Sequence, residues 1–129
     1  MNEFVVYHNP ESMGYGGKDI DDLGIYTSKA YKDVLGARIW IIAGEDRPRR
    51  YYLRAMFVAS EVTVSDNPNF KHVVRGKAGH FLYPMPRIDQ EPWFASFRKA
   101  QGNFAFGFSR TKDAASIAGL RAVLNRASV

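Results

Sequence analysis

The stretch "ARIWIIAGEDRPRRYYLRAMFVASEVTV", residues 37–64, decides the fold. It opens with Ile39, Trp40, Ile41 and Ile42 in one apolar run, too short for an ordinary helix and rich in β-branched side chains, the pattern of a central strand. "EDRPRR", residues 45–50, is a polar turn around Pro48, and beyond it Tyr51, Leu53, Ala55 and Phe57 alternate with Tyr52, Arg54, Met56 and Val58. A period of two over that length predicts a long strand paired back on the first as a hairpin.

Working outward, "FVVYH" at 4–8 is a short first strand, ended by the turn chemistry of Asn9-Pro10. A loop with Gly14, Gly16 and Gly17 follows. A short helix is expected at 29–35, capped by Ser28 and closed by Gly36 in the left-handed conformation. Residues 65–88 read as loop and short strands, with "SDNPNF" a turn and "GHFLYP" a strand. Helix returns at 91–100, with Pro92 at its start and Trp93, Phe94 and Phe97 on one apolar face. "NFAFGFS", 103–109, alternates so as to put Phe104, Phe106 and Phe108 on one side of a strand. A last helix at 113–126 carries the stripe Ala114, Ile117, Leu120, Val123 and Leu124. The order of elements predicts a single α+β domain over 1–129, a small, partly closed β-barrel with a few flanking helices.

With 129 residues, the chain buries about two thirds of its unfolded surface as one domain. It has no cysteine, which excludes a disulfide framework, thiolate metal sites and a cysteine nucleophile. His8, His72 and His80 lack metal-ligand spacing, so neither a metal nor a cofactor is expected. "GYGGK" at 14–18 lacks the phosphate-loop spacing. No apolar run reaches the roughly 20 residues that span a bilayer, and "MNEFVVYHNP" has no leader character, so no membrane partner and a cytoplasmic location are expected. Eighteen Lys and Arg against thirteen Asp and Glu give a net charge of +5, which favours a polyanionic partner. The cations group at Arg38, Arg47, Arg49, Arg50 and Arg54 and again at Lys71, Arg75 and Lys77, apart from an acidic knot at Asp19, Asp21 and Asp22.

His8-Asn9-Pro10 after a short apolar strand, then the run Leu35 to Ile42, then Tyr52 to Val62, and Phe106-Gly107-Phe108-Ser109-Arg110 leading into a helix from Asp113, together resemble the EVE domain family. That family belongs to the PUA-like superfamily, with YTH and ASCH domains as relatives. "EPWFASFRKAQGNFAFGF", 91–108, is similar to PUA-like modules fused to HNH nucleases, although this chain has no HNH signature. The resemblance implies a PUA-like barrel and a reader that holds a flipped, modified nucleobase of DNA or RNA, with a partner protein such as a nuclease.

A modified base is told from its parent once it leaves the stack, enters an aromatic pocket and has its polar edge hydrogen-bonded. Candidates for that pocket are Tyr7, His8 and Asn9 where strand meets loop, Trp40 and Tyr52 on the hairpin, and Gln101, Gly102 and Asn103. Candidates for phosphate contact are Arg47, Arg49, Arg50, Arg54, Lys71 and Arg75. Competing readings are that Asn9 caps its own turn, that Trp40 and the 93–97 aromatics are core, and that Gly102-Asn103 is a plain turn. Two other classes stand beside the reader: a protein-interaction module with a basic surface, and a small hydrolase. For the hydrolase, Ser12, Ser28, His80 and Asp89 occur outside any recognised catalytic spacing, so no catalytic residue is assigned.

Overall fold

A computed structural model describes residues 1–29, 32–105 and 107–127. In chain order the elements are β1 (Glu3–His8), α1 (Pro10–Met13), β2 (Gly24–Thr27), β3 (Arg38–Glu45), β4 (Arg50–Val64), β5 (His72–Phe81), α2 (Phe94–Ala100), β6 (Phe108–Thr111) and α3 (Ala114–Ala127). The six strands form one sheet in the order β2-β5-β4-β3-β1-β6, in which β1 runs parallel to β3 and every other pair is antiparallel. The sheet curls into a half-barrel, an α+β architecture whose two free edges are β2 and β6.

Each face of the sheet has its own core. Pairing aligns Phe4 with Ile39 and Ile39 with Phe57, and these side chains join Val6, Ile41 and Val74 in one buried cluster. Ile25 from one edge and Phe108 from the other belong to the same cluster, which places it inside the curl. The intervening residues Val5, Trp40, Ile42 and Leu53 face the other way and pack with Phe94 and Phe97 of α2 and Leu120, Val123 and Leu124 of α3. Trp40 is wholly buried there, and its indole Nε1 donates to Glu3 Oε1 at 2.8 Å.

The hairpin contains a fault in register. Between Ile41 and Ile42 the partner on β4 jumps from Ala55 to Leu53, leaving Arg54 opposite no residue. A bulge of one residue reverses the side of everything beyond it. Ala55 and Phe57 therefore point into the curl while Tyr51 and Leu53 lie under the helices, which corrects the uniform alternation expected for this strand. Arg54, expected at a phosphate, is only 7% exposed. Its guanidinium donates to the carbonyls of Leu82 at 3.0 Å, Lys18 at 3.1 Å and Ile20 at 2.8 Å, and lies over the Phe81 ring. Burial pulls its pKa down from the usual arginine value.

Other differences have local causes. Gly102, Asn103 and Phe104 all have positive φ, so the chain coils where an extended strand was expected, and β6 starts only at Phe108. Phe104 consequently lies under the helices and Phe108 inside the curl, while Phe106 lies outside the described residues. The helix expected at 29–35 falls in part on residues 30 and 31, also outside them; turns occupy 32–33 and 35–36, and Gly36 has a φ of 82°. Residues 72–81 form one ten-residue strand, longer than anticipated. The loop at 14–18 lies on β3: the Gly17 N–H donates to Glu45 Oε1 at 2.8 Å, and a Cβ there would collide with that of Ala43.

Replacing Arg54 with Met should keep the hydrophobic volume but leave three carbonyls without their donor, costing about 2 kcal/mol or more of unfolding free energy. Amide exchange at Gly17–Ile20 should accelerate with it; unchanged exchange would show that this segment is held by other contacts.

Candidate functional site

Curling without closure leaves a seam between β2 and β6. A cavity of about 470 Å³ opens along it, within the size range of small-molecule sites. His8 ends β1, Tyr26 lies on β2, Phe108 starts β6, Tyr15 comes from the loop after α1, and Phe70 from the turn between β4 and β5. Together they give the cavity aromatic walls, floored by Val6, Ile25 and Ile41 of the inner core.

The rings are held by one another. His8 and Tyr15 meet with centroids 4.9 Å apart, and Tyr26 stacks on Phe70 at 5.9 Å. His8 is 6% exposed, and its Nε2 lies 2.8 Å from the Tyr15 carbonyl. A carbonyl only accepts, so Nε2 carries the proton, and in the neutral ring Nδ1 is left as a lone-pair acceptor. Partial desolvation of the Tyr15 phenol, reinforced by Tyr26 and Asp21, raises its pKa although the residue is 40% exposed.

Charge is distributed unevenly around the opening. Asp19, Asp21 and Asp22 border it just before β2, whereas Lys29 borders it just after β2. Asp22 is paired with Arg75 at 3.2 Å. Lys29 reaches across the seam, its Nζ donating to the Phe108 carbonyl at 3.1 Å.

Of the residues singled out in the sequence as base or phosphate contacts, Tyr7, His8 and Arg75 line this cavity, and Ser28, named for the hydrolase reading, lines it as well. The Tyr7 ring lies on the opposite face, stacked on Phe104 at 4.9 Å, and only the absence of a side chain at Gly44 leaves room for its hydroxyl. Asn9 caps α1, its Oδ1 accepting from the Glu11 N–H, and does not line the cavity. Trp40 is core. Tyr52 donates to Asp46 Oδ2 at 2.8 Å near the hairpin turn. Gln101 is buried and accepts from Ser109 Oγ at 2.6 Å, tying the end of α2 to β6, and Gly102 and Asn103 form the coil beside it. These last residues lie away from the cavity lining.

The basic groups also separate. Arg47 and Arg49 both pair with Glu11, and Arg50 is exposed at the start of β4. Lys71 is exposed in the turn beyond the far end of β4. Arg50 starts that 15-residue strand, Lys71 lies beyond its other end, and Arg75 lies opposite Glu61 near that end, so the length of β4 separates the two groups. Tyr15, Tyr26, Phe70, Phe108 and Lys29 went unrecognised in the sequence; the alternating "GIYT" at 24–27 was the available sign of an edge strand.

Among the described residues, no group of three His, Asp or Glu side chains is placed to hold a metal, and no helix is long and apolar enough to cross a membrane. Comparison of the chain with family models, curated proteins and solved structures gives no match.

Because the Tyr15 phenol ionises less readily folded than unfolded, its contribution to stability is present below the unfolded value of 10.0 and is lost as pH rises through the higher folded value. Tyr15→Phe should therefore flatten part of the alkaline fall in stability, read as the denaturation midpoint against pH. An identical alkaline slope in the variant would place the Tyr15 phenol in water.

Proposed function

We propose that this domain binds nucleic acid and holds a flipped, modified nucleobase in the cavity at the β2–β6 seam. The observation that carries the reading is the cavity itself: about 470 Å³, walled by His8, Tyr15, Tyr26, Phe70 and Phe108. A base removed from its stack regains about 1 to 3 kcal/mol by lying on an aromatic face. Its polar edge then needs hydrogen-bonding partners fixed in the wall. With Nε2 donating to the Tyr15 carbonyl, His8 Nδ1 supplies an acceptor for an amino or imino N–H, and the Tyr15 phenol supplies a donor.

The proposed PUA-like plan rests on the sequence resemblance and requires a partly closed barrel, which a curled sheet permits, and the net charge of +5 favours a polyanion. The EVE-like identity, the kind of modification and a nuclease partner are part of this proposal. Aromatic walls and one oriented acceptor select for shape and edge chemistry, which is what separates a modified base from its parent.

Fluorescence anisotropy at moderate salt tests it, with matched DNA and RNA oligonucleotides containing cytosine, methylated or hydroxymethylated cytosine, or methylated adenine. The expected result is a preference of about tenfold, or 1.4 kcal/mol, for one modification. His8→Phe, which keeps a ring beside Tyr15 but removes the acceptor, should erase that preference. Equal binding of modified and unmodified oligonucleotides would overturn the reading.

A further inference from the structure

A second cavity, of about 220 Å³, lies beside the first and shares Lys29 and Phe108 with it. Its lining is mostly apolar, from Val34, Leu35, Val62, Val74 and Phe108, and is completed by Lys29, Lys32 and His72. Leu35 is 59% exposed and Val62 40%, a high exposure for aliphatic side chains grouped on one surface.

We propose that this smaller cavity seats the nucleotide adjacent to the flipped base, with the connecting phosphate at Lys29 and Lys32 and the neighbouring base against Leu35 and Val62. The inference rests on the nucleobase reading and adds the path of the strand. Three carboxylates stand at one end of the larger cavity, before β2. Among the described residues, none lines the smaller cavity, at the other end. A polyanion entering the seam is repelled from the Asp19–Asp22 end and drawn to the lysines.

The two compartments match the two parts of a nucleotide step. Lysine ammonium groups take a phosphate as point charges without demanding one geometry. Apolar walls accept the face of any base, so the smaller site is tolerant of sequence while the larger one is selective. The hairpin arginines fit this role less well, since Arg47 and Arg49 are engaged by Glu11 and Arg54 is buried.

The test is calorimetric titration at low salt. The probes are 5-methyldeoxycytidine and N6-methyldeoxyadenosine as free nucleosides, and dinucleotides carrying each with a thymidine on its 5′ or its 3′ side. One dinucleotide should bind about tenfold more tightly than its parent nucleoside. Lys32→Ala, at an exposed position, should abolish that gain and leave nucleoside affinity unchanged, whereas Arg49→Ala with Arg50→Ala should leave the gain intact. Nucleoside binding with no dinucleotide gain, or a gain that survives Lys32→Ala, would overturn this inference and spare the nucleobase reading. No binding of any probe would overturn both.

Discussion

The bulge at Arg54 is the constraint on which the rest of the molecule depends. A regular hairpin would keep Tyr51, Leu53, Ala55 and Phe57 on one face and leave the sheet to choose between a barrel core and a helix-packing core. By skipping one residue, β4 serves both: its hairpin end packs under α2 and α3, and its middle turns into the curl. A bulge also bends its strand and adds twist, which is how a sheet of six strands curls. The skipped residue becomes a tie: Arg54 has no partner on β3, its carbonyl accepts from the Leu82 N–H at 2.8 Å, and its side chain fastens Lys18, Ile20 and Leu82 by their carbonyls.

Curling without closure has a functional corollary. A closed barrel of this size fills its interior with side chains, whereas a half-barrel leaves two edges whose residues face across a gap. Here the gap is bridged at one point by Lys29 and is otherwise lined by rings from β1, β2, β6 and the 65–71 turn. Such a cavity is apolar within and charged at its ends. The polarity along β2, acidic before and basic after, would give the proposed polyanionic partner one direction in which to leave.

The hairpin, the first strand and the last helix were legible in the sequence, because a period of two or of 3.6 over many residues marks a face, although Ala114, expected in the buried stripe of the last helix, is exposed and Ser116 is buried there. The bulge was hidden, since Arg54 occupies an ordinary polar slot in the alternation and only the pairing partner reveals the skip. β2 was hidden for a different reason: four residues between an acidic knot and a turn carry little periodicity. At 102–104 the phenylalanine alternation pointed to a strand, but positive φ at three successive residues won.

The site was less legible than the fold. His8 at a strand end was a fair sign, and it does meet the cavity. Its aromatic companions lie 7 to 100 residues away in the chain and come together only through the curl, so no spacing encodes them. Gln101 looked like a ligand-facing amide and is instead a buried link to Ser109.

The most direct measurement of the central claim is an NMR titration of the protein, labelled with nitrogen-15 at its histidines and in its backbone, with a modified nucleoside. The account predicts a His8 ring protonated at Nε2 in the free protein, a change at its Nδ1 on binding, and shifts grouped at Tyr15, Tyr26, Phe70 and Phe108. Shifts grouped instead at Tyr51 and Gln101–Phe104 on the helix face, or a His8 ring that does not respond, would contradict it.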